Sequence, residues 1–516
     1  MGCDYIVMSA GPAVARSGTY NRYMRKRIPE VPLMLVSAII LSSCGGSGAV
    51  ALDRNPGSEL RQPAVAKDID PDPDIVHVQL TAAPLVVEFE PGVPTEVWAY
   101  NGSFPGPLIE AKQGDRIIVD LTNNLPEETT IHWHGVRLSN ANDGTPITQD
   151  PVPPGGSFTY DFTVPDASLF WYHPHANSAE QVYRGLYGPL QVHGEDPLPA
   201  ADERVLVLSD IELSGGQLVL PWADGVQQME NAMGYLGNTQ LVNGQLMPEL
   251  RVRSGGLERW RVVNASGSRY YNLALPGHVF TMVGTDGGLI ESPVEYSEFL
   301  LAPGERADLL VATDGSDGDS PVLINASYSI MHAAGFMPDP DHPLMQLRYS
   351  GSVNGLDRSI PAQLATITEP VVDAGEFSLQ FSAALDPQPM DIIAGTVNED
   401  APINFASFAI NGRPWPDAAE HVSQLGTTER WTLNNHTVMD HPFHLHGYRF
   451  LVESGTDGGP AYRGWKDTVN VHGSELGDHH LDILIPFEDN PGNWLYHCHI
   501  LRHAELGMMA ELVVNP

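Results

Sequence analysis

Eight histidines of this chain fall into four His-x-His pairs: His132/His134, His173/His175, His444/His446 and His497/His499. On a strand, residues i and i+2 share a face, so each pair can offer two imidazoles to one site. Neutral imidazole suits copper, zinc, iron and nickel alike, and the pairs alone do not choose among them. The choice falls to Cys498, which stands between His497 and His499 and so faces away from their rings. His441, three residues before His444, can join it, as can His503 and Met508 downstream. Two histidines, one thiolate and a weak axial thioether make a blue-copper electron-transfer site. Zinc would ask for a closed tetrahedral set, in which methionine is a poor ligand.

Elements must hold these side chains. A length of 516 residues suits about three domains, and 42% hydrophobic residues supply sizeable cores. A repeat marks the domains. Asn101-Gly102, Asn243-Gly244 and Asn411-Gly412 each precede a glycine, a strand-like run and a closing asparagine, at Asn123, Asn264 and Asn434. The three copies lie about one domain length apart. We therefore expect domains at 75–197, 198–355 and 370–516, with a linker at 356–369. Phe158, Tyr160 and Phe162 alternate with Thr159, Asp161 and Thr163, and Leu481, Ile483 and Ile485 alternate around Asp482, the period of half-buried strands. With 50 Gly and 43 Pro and no sustained helical period, the expected class is all-β, built of Greek-key sandwiches or barrels.

The formal net charge of −37 argues against nucleic acid as a partner. Of three cysteines, Cys3 and Cys44 lie in an N-terminal stretch, so Cys498 is alone in the body and no disulfide forms there. Basic residues at 25–27, an apolar run at 31–41 and Ser42-Ser43-Cys44 read as a secretory signal, too short to span a bilayer. Its ending resembles a bacterial lipoprotein cleavage box. The expectation is an exported chain of the periplasm or cell envelope, touching membrane only through a lipid anchor at Cys44; cleavage of an ordinary signal near Ser47 is the alternative. Residues 1–23 read as upstream of the true start at Met24, and residues 45–74 as a flexible tether.

The segments Ile131-His132-Trp133-His134-Gly135, Trp171-Tyr172-His173-Pro174-His175, His441-Pro442-Phe443-His444-Leu445-His446-Gly447 and His497-Cys498-His499-Ile500-Leu501-Arg502-His503, with Gly507-Met508, resemble the four copper-binding segments of bacterial multicopper oxidases, in the family's order. The resemblance covers the body from about residue 75 onward. It implies three consecutive cupredoxin-like domains and four copper ions: one type 1, one type 2 and a type 3 pair. By position, His441, Cys498, His503 and Met508 would hold the type 1 ion, and His132 and His444 the type 2 ion. His134, His173, His175, His446, His497 and His499 would hold the type 3 pair. The implied activity is laccase-like. Single electrons from phenols or aromatic amines would enter at the type 1 ion, pass along Cys498 to its neighbours and reduce dioxygen to water.

Dioxygen reduction consumes protons. Asp143 stands where the family keeps an acid, although Asp143-Gly144 is also a plain turn signal. Relatives place a glutamate directly after the last type 1 histidine; here Ala504 follows and Glu505 is one position off. Asp440 and Asp467 are expected near the type 1 edge as tuners of substrate choice or as structural groups. Trp133, Phe443 and Trp494 are expected as packing. His77, His193, His278, His332, His342, His421, His436, His472, His479 and His480 lack pairing and read as ordinary surface or core residues. Met331, His332, Met337, His342 and Met345 form a sparse loop, either adaptable filler or a site for cuprous ion. Oxidation of cuprous or another metal ion is thus the nearest alternative activity. A copper nitrite reductase would need fewer histidines, and a non-catalytic copper-binding scaffold of the envelope would not fill every ligand position.

Overall fold

The alternation at residues 157–164 becomes the strand Ser157–Thr163, in which Tyr160 and Phe162 are buried and Asp161 is exposed. The same rule repeats along the chain. A computed structural model describes residues 56–221, 234–332, 338–386, 405–456, 458–473 and 479–516. The expected signal, Cys3, Cys44 and Met337 lie outside the described residues.

Three cupredoxin-like β-sandwiches follow one another. In each, a strand runs parallel to one further along and antiparallel to a third. Ile75–Glu90 pairs parallel with Arg116–Asn123, Asp202–Ile211 with Gly256–Asn264, and Glu376–Asp386 with Thr428–Asn435. The antiparallel partners are Val93–Tyr100, Thr239–Val242 and Phe405–Ile410. The first sandwich packs this sheet on one ordered Ile109–Lys112, Gly188–His193, Leu169–His173, His132–His134. The third carries a five-stranded sheet ordered His421–Gln424, Met509–Asn515, Gly492–Cys498, His441–Leu445, Thr468–Val471.

The repeat has a structural reason. Asn101, Asn243 and Asn411 share a left-handed backbone, with φ of 53°, 51° and 52°, which asparagine tolerates better than most residues. Each side-chain oxygen accepts the N–H of a strand residue: Thr81, Val207 and Gln380 respectively. The closing asparagine needs one correction. Asn123 and Asn264 are buried and use Nδ2 to clamp two carbonyls, those of Glu127 and Val152 and those of Arg269 and Leu301. In the third copy Asn435 does this, on Met439 and Val471. Asn434, expected in that role, points the other way along the alternating strand and bonds Ser378 instead.

One continuous core joins the first and third domains, running from Val78, Ile117 and Trp133 to Phe443, Trp494 and Val514. The second domain has its own core around Trp260, Phe280 and Leu309. Trp133, Phe443 and Trp494 are fully buried in the shared core, as expected of packing residues. The segment expected as a tether is bound to the body from Gly57 onward. Gly57 and Leu60 donate N–H bonds to Met247 and Glu249, and Ala66 donates to Leu108. Backbone pairing thus holds a segment whose Gly, Ser, Pro and Asp content had suggested a tether.

Candidate metal sites

The strand His132–His134 sits at the edge of its sheet and pairs with Leu169–His173 in a register that sets His132 opposite His173. In the third domain His441–Leu445 pairs with Gly492–Cys498, setting His444 opposite His497 and Phe443 opposite Cys498. Alternation sends His132 and His134 to one face, while His175, His446 and His499 each follow just beyond the end of a strand. The shared core brings these segments together, and all eight paired rings meet between the first and third domains.

They sort into groups whose donor atoms lie within 4.8 Å of one another: His134, His173 and His499; His175, His446 and His497; and His132, His134 and His444. His132 and His444 remain when the first two triads are set aside. On the other side of the Gly492–Cys498 strand, Cys498 Sγ lies 3.5 Å from His441 Nδ1 and 3.7 Å from His503 Nδ1. Met508 is fully buried, and its carbonyl accepts the N–H of Cys498.

Six of the eight rings are fixed through one nitrogen by an oxygen and offer the other. Nδ1–H of His132, His173, His444 and His497 donates to the carbonyls of Asp143, Pro174, Asp467 and Cys498, at 2.8 to 3.0 Å. His446 Nδ1–H donates to the Asp143 carboxylate at 3.1 Å. Nε2 of His132, His173 and His444, Nδ1 of His134 and both nitrogens of His499 are buried without a hydrogen-bond partner. His446 Nε2 and His497 Nε2, both acceptors by this pattern, face each other at 3.1 Å. Facing lone pairs repel unless a cation lies among them, so the donor set fits metal ions.

Burial favours the neutral form at most of the candidate ligands. It lowers His441 and His497 to about 3 and takes His134, His173, His175, His446 and His499 well below the ordinary histidine value. Neutral imidazole is the ligating form. Burial also pushes the Cys498 thiol up, so its thiolate needs a cation beside it.

Comparison with known proteins adds an independent line. Models of the family described as multicopper oxidase match residues 82–197, 220–352 and 384–516. The laccase of Bacillus subtilis is 31% identical over 488 residues, covering 82% of this chain and 91% of the relative. The chain belongs to the multicopper oxidases. It is a copper-dependent oxidoreductase with dioxygen as acceptor. The multicopper oxidase MmcO of Mycobacterium tuberculosis is 30% identical over 479 residues, covering 84% of this chain and 86% of that one. A multicopper oxidase from Campylobacter jejuni, described as a metallo-oxidase, superimposes with a TM-score of 0.77 at 29% identity, covering 91% of this chain and 98% of its own.

The acids of this multicopper oxidase separate clearly. Asp143 is 1% exposed and touches both His132 and His446. Glu505 touches none of the paired rings; its carboxylate accepts the N–H of Ala179 at 2.8 Å and pairs with Arg502 at 3.2 Å. Burial raises the Glu505 carboxyl, with Ala179 and Arg502 working against it. Asp440 lies beside His441, buried, with Tyr328, His332, Asn470 and His472 around its oxygens. Burial would raise its carboxyl, yet His332 and His472 outweigh that and hold it well below the carboxylate range.

Asp467 is not at the type 1 edge, where the sequence placed it. It lies behind the paired rings, 3.1 Å from His134 Nε2, and carries a two-pronged ion pair with Arg306 at 2.7 and 2.6 Å. The strand period explains the misplacement: Asp467 precedes Thr468–Val471, which pairs with His441–Leu445 at its His444 end. Sequence reasoning missed Arg306 and Thr468 because the second domain holds no paired histidine and threonine carries no metal signal. His332 and His472, expected to be ordinary, converge on Asp440. Met345 is core, while Met331 pairs by its backbone with Met439, two residues before His441.

Proposed function

We propose that this oxidase is laccase-like, taking single electrons from phenols or aromatic amines and passing four of them to dioxygen to give water. One observation carries the reading. Cys498 turns its sulfur to His441 and His503, while the residues bonded to it on either side, His497 and His499, turn their rings into the two triads. One strand thus joins an electron-accepting site to a multinuclear one through covalent bonds.

The assignment that follows gives His441, Cys498, His503 and Met508 to a type 1 ion and His132 and His444 to a type 2 ion. His134, His173 and His499 take one type 3 ion, and His175, His446 and His497 the other. The count is four. When bound, copper would supply one-electron redox chemistry and a place for dioxygen. The chain's own residues do the rest. Carbonyls and carboxylates behind the rings aim them, the shared core excludes bulk water, and Asp143 is placed to hold a proton beside His132 and His446. Glu505, committed to Ala179 and Arg502, serves the fold instead.

A second reading, oxidation of cuprous or another metal ion, is favoured by the backbone bridge that sets Met331 opposite Met439, two residues before His441, since thioethers suit soft ions. The relatives named above include both a laccase and a metallo-oxidase. Export as a lipoprotein anchored at Cys44 completes the proposal; labelling with a radioactive fatty acid, lost in Cys44→Ser, tests it.

Dioxygen uptake by the copper-loaded protein separates the substrates. Cu(I) and 2,6-dimethoxyphenol are offered separately at matched concentration. Faster uptake with the phenol supports the laccase reading. Faster uptake with Cu(I) overturns it in favour of metal oxidation. A blue, copper-replete protein that consumes no dioxygen with either donor defeats both.

A further inference from the structure

Seven of the eight paired rings share a simple rule: none spends Nε2 on an oxygen. His134 is the exception. Its Nε2–H donates to Asp467 Oδ1 at 3.1 Å and to Thr468 Oγ1 at 3.0 Å, and it is Nδ1 that remains buried and unpartnered toward the cluster. His132, His173, His444, His446 and His497 do the reverse, spending Nδ1 on an oxygen.

The reversal requires a carboxylate behind the ring, in a place shut off from water. A buried carboxylate survives there only with a partner that offsets its desolvation. Arg306 of the second domain is that partner. All five of its N–H donors are used: Nε on the Leu169 carbonyl, Nη1 on Gly304 and Asp467 Oδ1, and Nη2 on Asp286 and Asp467 Oδ2. The two prongs fix both Asp467 oxygens, and Oδ1, which also accepts the Thr468 hydroxyl at 2.9 Å, is held facing His134. A lysine has no such fork.

The chain makes room for this pair. A Cβ on Gly135, the residue after His134, would lie 2.3 Å from Arg306 Nη2 and 2.5 Å from Asp467 Oδ2. Gly135 also has a φ of 85°, which side-chain-bearing residues rarely adopt. The ion pair therefore passes directly over the backbone that carries the ring.

We infer that Arg306, acting through Asp467, is the positioning residue that turns His134 so that Nδ1 rather than Nε2 faces the metal group. The second domain, which supplies no ligand, thereby sets the geometry of a site formed by the other two. This rests on reading the paired histidines as copper ligands.

The test compares copper retention in Arg306→Met, Arg306→Lys and the double variant Arg306→Met/Asp467→Leu with the native protein during dialysis against a chelator. The blue absorption of the Cys498 site reports folding separately, and electron paramagnetic resonance reports the ion between His132 and His444, whose donor atoms lie within 4.8 Å of that of His134. Arg306→Met is expected to stay blue and to hold the paired-histidine copper about 10- to 100-fold more weakly. Arg306→Lys falls between it and the native protein. The double variant removes the stray buried charge along with its partner, so it separates two causes. If ring positioning is what matters, it still loses that copper and shows an altered resonance signal. A blue double variant with native copper retention and an unchanged signal overturns the inference, whatever Arg306→Met does alone. Native protein that binds copper only at the Cys498 site overturns the underlying reading instead.

Discussion

Asp143 and His446 are joined across the boundary of the first and third domains by a 3.1 Å contact between a buried carboxylate and a ring Nδ1. The main-chain carbonyl of the same aspartate takes the Nδ1–H of His132 at 2.8 Å. One residue thus aims two neighbouring rings, stacked with centroids 3.8 Å apart, and its carboxylate lies against the paired histidines.

Asp143→Asn separates these two tasks. The amide oxygen still accepts from His446, so copper content should match that of the native protein. A group that no longer exchanges a proton should slow dioxygen consumption by about 10²- to 10⁴-fold. Asp143→Ala removes the acceptor too and should also weaken copper retention by about 10- to 100-fold. Turnover at the native rate in a copper-replete Asp143→Asn protein would sink the proton role.

Glu505 should behave differently. Its carboxylate is bound to the N–H of Ala179, at the start of the helix Ser178–Tyr183, and to Arg502. Glu505→Gln keeps an acceptor for Ala179 and loses only the charge near the helix start, a cost of about 0.3–1 kcal/mol. We expect turnover close to native with a slightly lower thermal midpoint. A large fall in turnover at unchanged copper content would return Glu505 to the proton path.

The difference between these acids shows how far the sequence reaches. Paired histidines declare themselves because strand alternation turns a spacing of two into a shared face, and Cys498 inherits the opposite face by the same rule. The three-domain order was legible from Asn101, Asn243 and Asn411, whose backbone conformation few residues accept. Relations between domains left no such mark. Arg306 reaches Asp467 across 161 positions, and nothing local to either residue announces the other. Asp440 and Asp467 look alike in sequence, each beside a metal-site strand, yet pleating and register send one to His332 and the other to Arg306. The slip from Asn435 to Asn434 is of the same kind: one position along a strand exchanges the two faces.

At the Cys498 site, thiolate and thioether should be separable. Cys498→Ser should abolish the blue absorption while His497 and His499 keep their backbone positions, leaving copper at the paired histidines. Met508→Leu conserves volume closely enough that the fold should lose less than about 1.5 kcal/mol. The colour should persist, since the thiolate remains, and the reduction potential should rise because the reduced ion tolerates the loss of a weak axial donor better than the oxidised ion does. A redox titration of the blue band checks this. An unchanged or lower potential would remove Met508 from the ligand set.

Glu258, in the strand Gly256–Asn264, offers a test of the second domain's stability. Its side chain is 3% exposed, with Arg204 Nε 3.2 Å away. Burial raises its carboxyl from 4.5 to about 7, the nearby Arg204 offsetting only part of the effect. The folded chain therefore keeps this proton over a range where the unfolded chain has released it. Stability contributed by the neutral carboxyl is present below pH 4.5, is lost as pH rises toward 7, and stays lost above. The shift corresponds to at most about 3 kcal/mol. Glu258→Gln fixes the neutral form in the same shape. It should change little at about pH 5 and stabilise the protein at about pH 8, read as a difference in denaturant midpoint at fixed copper loading. Equal effects at the two pH values would mean that Glu258 is ionised in the fold and fully balanced by Arg204.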